Sequence, residues 1–293
     1  MSNPTVDATG YYQAGKGIRL FRLALTAAQR VWPALATRAA TRLFATPLPS
    51  KWLQRRTDWG SDWRIAHWPF EHADLTVYMQ RVAPHAPIAL LVHGWGGHAG
   101  QLRALAEALA QQGLRPVLVE MPAHGRSGGT TSHLPQFARA IEYVVSRLQQ
   151  EGHVVRLLAA HSLGASAAAF AVARGLPVER LVLLAPPASP RAYTHYFARV
   201  FGLSEATRAS MQKRIEAREG LLMPQFDAGA MGPRIRVPVL VVHDRRDNVN
   251  AFADGQAFAH AIRGARLLAT QELGHRKILK DPAVVAQVAT FAT

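Results

Sequence analysis

Short apolar runs alternate with amphipathic stretches along most of this chain, and that alternation limits the folds open to it more than any other feature. The runs are Ile88–Val92, Pro116–Val119, Val154–Ala160, Arg180–Leu184, Val237–Val242 and Ala265–Ala269. Helical patterns lie between most of them, at about 98–112, 134–151, 163–174, 252–262 and 281–291. A strand that is apolar on both faces must be covered on both faces, which implies a mainly parallel sheet with helices on each side. Two extended segments, Asp62–Phe70 and Leu75–Val82, come first and are joined by a short turn, so the α/β sheet is expected to have eight strands. The gap from about 186 to 236 carries helical patterns at about 190–201 and 205–219 and no strand. It reads as an insertion over one end of the sheet.

Composition narrows the classes. At 293 residues and 49% hydrophobic, the chain is long and apolar enough to bury a core without staples. It has no cysteine, which excludes disulfides, iron–sulfur clusters and a cysteine nucleophile and leaves the redox compartment open. No apolar run approaches the roughly 18 residues of a membrane span. The net charge of +15 is unevenly spread: Ala8 to Thr57 holds nine Lys or Arg and no Asp or Glu. Residues 1–57 therefore read as a basic arm and 58–293 as the folded domain. After a polar, flexible lead-in (1–16), residues 17–32 form an amphipathic pattern. Leu20, Leu23, Ala24, Ala27, Ala28 and Val31 share one arc, with Arg19, Arg22, Gln29 and Arg30 on the other. Pro33 interrupts it, and a second amphipathic stretch at about 34–45 follows. Such a helix either packs on the body through its Leu/Ala arc, the commoner arrangement, or lies on a membrane surface. No apolar core of about 7–15 residues with a cleavage site is visible, so a removable leader is not expected. No nucleic-acid-binding motif occurs, and nucleic acid is not an expected partner. The expected location is cytoplasmic, with peripheral membrane contact through the arm as an alternative.

In an open parallel sheet, ligands bind beyond the carboxyl ends of the strands. The residues just past those ends are His93-Gly94-Trp95-Gly96-Gly97, His161-Ser162-Leu163-Gly164, His243-Asp244-Arg245-Arg246-Asp247 and Gly274-His275. Ser162 stands between a strand and a helix-prone run. Ala160, Gly164 and Ala165 are small enough for a tight strand-to-helix turn that exposes a serine hydroxyl. Helix capping is the bland alternative for such a serine. A serine nucleophile needs a base, and the base an orienter; His275 and Asp247 are the candidates, in chain order after Ser162. Asp244 and Glu272 compete for the acid role. Gly125-Arg126-Ser127-Gly128-Gly129 fits a nucleophile motif in letters, yet it follows a loop with Pro122 and precedes no helix, so it reads as a loop beside the pocket.

Taken together, these segments resemble the α/β-hydrolase family over about residues 60–293. His93-Gly94-Trp95-Gly96-Gly97 is similar to the family's oxyanion loop, Pro122-Ala123-His124-Gly125-Arg126-Ser127 to its P-G-H-G-x-S loop, and His161-Ser162-Leu163-Gly164 to its nucleophile elbow. Asp247 and His275 match its acid and base, and the insertion matches its lid. Ala160 departs from the family's glycine, and Glu120 stands where many relatives carry aspartate. The resemblance implies an oxyanion hole formed by the backbone amides of Trp95 and Leu163, and a serine hydrolase needing no cofactor.

The resulting expectation is a carboxylesterase working on small or medium esters through an acyl-enzyme. Related acyl hydrolysis (thioester, lactone, carbon–carbon or peptide bonds) and a non-catalytic binding module are the alternatives. His93, Gly94, His161 and Tyr193 are expected at the substrate, with His93, His124 and His161 orienting loops or lining the pocket. The spacing of the many histidines matches no metal motif, so no metal is expected. Gly94-x-Gly96 imitates a dinucleotide fingerprint, but the third glycine is displaced to Gly100.

Overall fold

A computed structural model of the chain describes residues 16–48, 58–82 and 85–293, with side chains from residue 22 onward. The polar lead-in and the basic residues Lys51, Arg55 and Arg56 lie outside the described residues. Eight strands form one sheet: β1 (Trp63–Phe70), β2 (Ala73–Gln80), β3 (Ile88–Val92), β4 (Arg115–Glu120), β5 (Val155–His161), β6 (Arg180–Leu184), β7 (Val239–Asp244) and β8 (Arg266–Thr270). The helices are α1 (Lys16–Val31), α2 (Pro33–Phe44), α3 (Arg103–Gln111), α4 (Leu134–Gln150), α5 (Leu163–Ala173), α6 (Pro190–Phe201), α7 (Glu205–Glu219), α8 (Ala228–Met231), α9 (Phe252–Ala261), α10 (Gly274–Lys277) and α11 (Pro282–Ala292).

The strand order is β1-β2-β4-β3-β5-β6-β7-β8. β1, β2 and β4 pair antiparallel, and every pairing from β4 through β3 to β8 is parallel. The central strands are buried at every residue of β3, as their unbroken apolar runs require. The two-residue period splits them between two cores. Leu90, Val92, Leu158 and Leu183 face α4, α5 and α9 through Phe137, Ile141 and Phe258. Leu91, Leu157 and Val182 face α3 and α11 through Leu105, Leu109 and Val288. Helix α5 is wedged between the sheet and α4, and nearly all of it is buried. Its run of alanines lets the backbones approach closely. The chain turns left from β3 to β4 and right to β5, so β3 and β5 lie side by side where strand order reverses. That reversal opens a crevice at their carboxyl ends.

The segment between β6 and β7 carries α6, α7 and α8 and no strand. Ser189 caps the start of α6, and Gly202 ends it in the left-handed conformation at φ 67°. Ser204 and Gly220 do the same for α7. The arm packs on this segment. Ala36 and Ala40 of α2 and Leu25 of α1 form a small core with Phe197, Phe201 and Met211. The orientation of α1 is the reverse of the commoner arrangement expected from its sequence. Leu25 and Gln29 turn inward, and the Gln29 amide bonds Gly202 O and Ser204 N. Within the Leu/Ala arc, Leu23 and Val31 are 69% and 64% exposed. Leu25 and Ala28 pack on this inward side beside the polar contacts of Gln29 to the α6–α7 turn.

Glu219, at the end of α7, ties the insertion to the body. Its carboxylate lies 2.8 Å from Arg139 Nη1 and 3.0 Å from His133 Nε2, with only 5% of the side chain exposed. Burial alone would raise its pKa, but the bonds from His133 and Arg139 bring it down to about 2, from an ordinary 4.5. The folded pKa is the lower one, so the tether stabilises fully above the ordinary value and is lost as pH falls toward the folded one. Glu219→Gln is expected to cost about 1–2 kcal/mol at neutral pH, held low because Arg139 is partly in water. Urea denaturation at stepped pH should show the gap between wild type and variant closing between pH 4.5 and about 2. A gap that stays constant to pH 2 excludes the tether.

Candidate active site

Ser162 is the residue between β5 and α5, and its backbone sits at φ 53°, ψ −124°, a conformation that side chains other than glycine rarely adopt. The strain is held from both sides. Ser162 N–H donates to Leu184 O on β6, and Ser162 O accepts from the Ala165 and Ser166 amides of the first turn of α5. The turn is tight because two glycines allow it. A Cβ on Gly164 would lie 2.4 Å from His93 O, and one on Gly94 would lie 2.7 Å from Ser162 Cβ. The loop after β3 and the start of α5 therefore touch through backbone.

His275 reaches the same point from α10. Its Nε2 is 3.1 Å from Ser162 Oγ, and its Nδ1–H donates to Asp247 Oδ2 at 2.7 Å. Asp247 follows β7, and its other oxygen, Oδ1, accepts from the Val249 and Asn250 amides at 2.8 and 3.0 Å. His243 Nε2 lies 3.4 Å from Oδ2 while donating to Asn250 O at 3.1 Å. Burial would raise the Asp247 pKa, but bonds from His243, His275 and the Val249 amide hold it well below the usual carboxylate range. The side chains of Asp247 and His275 are 0% and 3% exposed, so solvent does not dilute the interaction. A serine hydroxyl, an imidazole and an ionised carboxylate thus stand in series, an arrangement able to draw a proton from the hydroxyl.

The competing acids have other work. Asp244 accepts from Arg246 N, Thr270 Oγ1 and Leu273 N, bracing the loops after β7 and β8. Glu272 is an exposed partner of Arg246. Ser127 donates to Glu120 O and accepts from Thr76 N, tying the 122–127 loop to β2 and β4.

Of His93, Gly94, His161 and Tyr193, Tyr193 alone lines the cavity beside Ser162, where Trp95, Tyr196 and Phe197 join it. His93 is wholly buried, with Nδ1–H donating to Gly94 O and Nε2 accepting from Met121 N. His161 is also buried, and its Nε2–H donates to His275 O at 2.9 Å. Gly94 packs on Ser162 itself. His124 accepts from Gly96 N and donates to Pro122 O. These histidines position loops rather than touch the cavity: both ring nitrogens of His93 and His124, and Nε2 of His161, bond backbone groups. Burial, helped by neighbouring histidines, keeps His93 and His161 well below the ordinary imidazole range, so both stay neutral.

The cavity of about 110 Å³ is walled by Trp95, Leu163, Tyr193, Phe197, Phe226 and, from the arm, Phe44. That is somewhat less than the ~150 Å³ that encloses a benzene. Phe44 packs edge-on against Phe197 at 5.2 Å. The Tyr193 hydroxyl donates to Asn250 Oδ1, and the Asn250 amide donates to Ala185 O, which joins the insertion to the loop that carries Asp247. Sequence reasoning did not single out Asn250 or Phe44. The Asx-like spacing from Asp247 to Asn250 was an available signal for the first; the second depends on tertiary packing alone.

Comparison with known proteins came to the same architecture. The family described as "Serine aminopeptidase, S33" matches residues 83–224, and that described as "TAP-like protein" matches 224–293. No curated protein sequence matches the chain significantly. Among solved structures, a hydrolase from Pseudomonas aeruginosa is similar with a TM-score of 0.62 and 21% identity, over 80% of this chain and 99% of that one. The esterase Pf2001 from Pyrococcus furiosus has a TM-score of 0.61 and 18% identity, over 78% and 91%. Est1E from Butyrivibrio proteoclasticus, solved with ferulic acid bound, has a TM-score of 0.60 and 19% identity, over 78% and 96%.

Gly94→Ala and Gly164→Ala are each expected to cost about 1–3 kcal/mol in chemical denaturation, because backbone must move to admit the methyl group. Gly229→Ala, in α8 with nothing within 4 Å of its Cβ position, should be neutral or slightly stabilising. Equal stability of all three variants would refute the close approach.

Proposed function

We propose that this chain, which belongs to the α/β-hydrolase superfamily, is a serine hydrolase that cleaves carboxylic esters through an acyl-enzyme. The observation that carries the reading is the series Ser162–His275–Asp247 at hydrogen-bond distances, with Ser162 on the wall of an apolar cavity. Ser162 Oγ attacks the ester carbonyl as His275 Nε2 takes its proton. Asp247, ionised and fully hydrogen-bonded, holds the imidazole with Nδ1–H inward and stabilises the imidazolium. His161 packs tilted against His275 at a ring distance of 4.6 Å and stays neutral, so it adds no repulsion when His275 is charged.

The tetrahedral oxyanion needs donors. Leu163 opens α5, so its amide has no acceptor within the helix and points toward incoming negative charge. The Trp95 amide is the second donor, on a loop that His93 and His124 clamp from below. Such donors contribute about 3–4 kcal/mol each to transition-state stabilisation. His275 then protonates the leaving alcohol, and water repeats the sequence on the acyl-enzyme. The esterases among the similar structures support the ester reading, and the cavity volume favours short acyl groups.

A second reading is removal of an N-terminal residue from a peptide. The family description favours it, and so does Glu216, a carboxylate on the cavity wall able to meet an α-ammonium group. A panel of p-nitrophenyl esters from acetate to palmitate, run beside aminoacyl-anilides, separates the two. The expected result is fastest turnover on acetate to butyrate. Ser162→Ala should lower it at least about 10³-fold and abolish labelling by a fluorophosphonate, with melting unchanged. Turnover that survives Ser162→Ala would overturn the mechanism, and turnover confined to the anilides would favour the peptide reading.

A further inference from the structure

The outer surface of α1 and α2 is apolar where a lone protein surface should be polar. Leu23, Val31, Trp32 and Leu35 are 69%, 64%, 64% and 59% exposed. Ala24, Ala27, Ala34 and Ala39 beside them are also exposed. The helix is amphipathic, yet Leu23, Ala24, Ala27 and Val31 of its apolar arc are exposed to solvent, and its inward contacts run through Leu25, Ala28 and Gln29. A chain that could bury this arc on its own core and does not leaves it for an outside partner.

The charge pattern selects the partner. Arg30, Arg38 and Arg42 are exposed around the apolar residues, and the whole stretch from Ala8 to Thr57 holds no acidic residue. A second copy docked isologously would set arginine against arginine. A surface with apolar interior and negative headgroups satisfies both features, because leucine and tryptophan enter the acyl boundary while arginines stay at headgroup level. No described helix is long and apolar enough to cross a membrane. We propose that α1 and α2 form a docking surface for an anionic lipid bilayer, on which the protein lies without spanning it. The proposal does not depend on the hydrolase reading.

Vesicle co-sedimentation tests it with the full chain. Phosphatidylglycerol–phosphatidylcholine vesicles should pellet the protein at about 50 mM salt and release most of it at about 500 mM. Pure phosphatidylcholine should pellet little. The triple variants Leu23→Ser/Val31→Ser/Leu35→Ser and Arg30→Gln/Arg38→Gln/Arg42→Gln should each bind at least tenfold more weakly, with melting and short-ester turnover like wild type. Circular dichroism and melting of each variant confirm that a loss of binding is not a loss of fold. Absence of wild-type binding, equal binding to both vesicle types, or undiminished binding by folded variants would overturn the proposal. So would a dimer, seen without lipid by sedimentation equilibrium, that the leucine and valine substitutions disperse.

Discussion

At the carboxyl end of β5 a serine is held in a backbone conformation that costs about 1–3 kcal/mol, and the surrounding structure is organised to keep it there. Leu184 on β6 receives its amide, α5 begins on its carbonyl, and the β3 loop presses a glycine against its Cβ. Moving any one of these supports would let the backbone relax. The hydroxyl would then turn away from His275. Only an edge-to-edge meeting of β3 and β5 brings all of them to one point. The order of strands is thus already part of the chemistry.

Buried histidines do much of the remaining positioning. His93 and His124 accept backbone amides on one nitrogen and donate to backbone carbonyls on the other, so each joins two loops. Neutral imidazole suits this task, since it offers one donor and one acceptor and carries no charge to desolvate. His243 works differently, sharing its Nε2–H between Asn250 O and the acid. His93 and His124 are therefore a scaffold for loops.

Much of this was legible in the sequence because burial leaves a plain record. A strand covered on both faces has no polar position to interrupt it, so the runs at 88–92 and 180–184 coincide with β3 and β6. Helices α6 and α7 are bounded by serine caps and left-handed glycines that can be read directly. Ser162, Asp247 and His275 stood out because each follows a strand end. Periodicity could not reveal which side of α1 faces the body. It identifies the residues that share an arc, whereas Gln29 meeting the α6–α7 turn decides the direction. His93 and His161 were expected at the substrate for the same reason: proximity to a strand end does not tell whether a ring points into a cavity or back into the loop.

Phe44 has a consequence for how the molecule could be shortened. It is part of the basic arm, yet it forms one wall of the cavity beside Ser162 and is stacked edge-on against Phe197 of the insertion. A chain trimmed to begin at the first strand would keep its sheet and Ser162, His275 and Asp247 while leaving the cavity breached on one flank. Water would flood the gap, and Phe197 would keep Phe201 but lose Phe44 as a ring partner. The arm is thus a piece of the chamber's masonry, whatever else it touches.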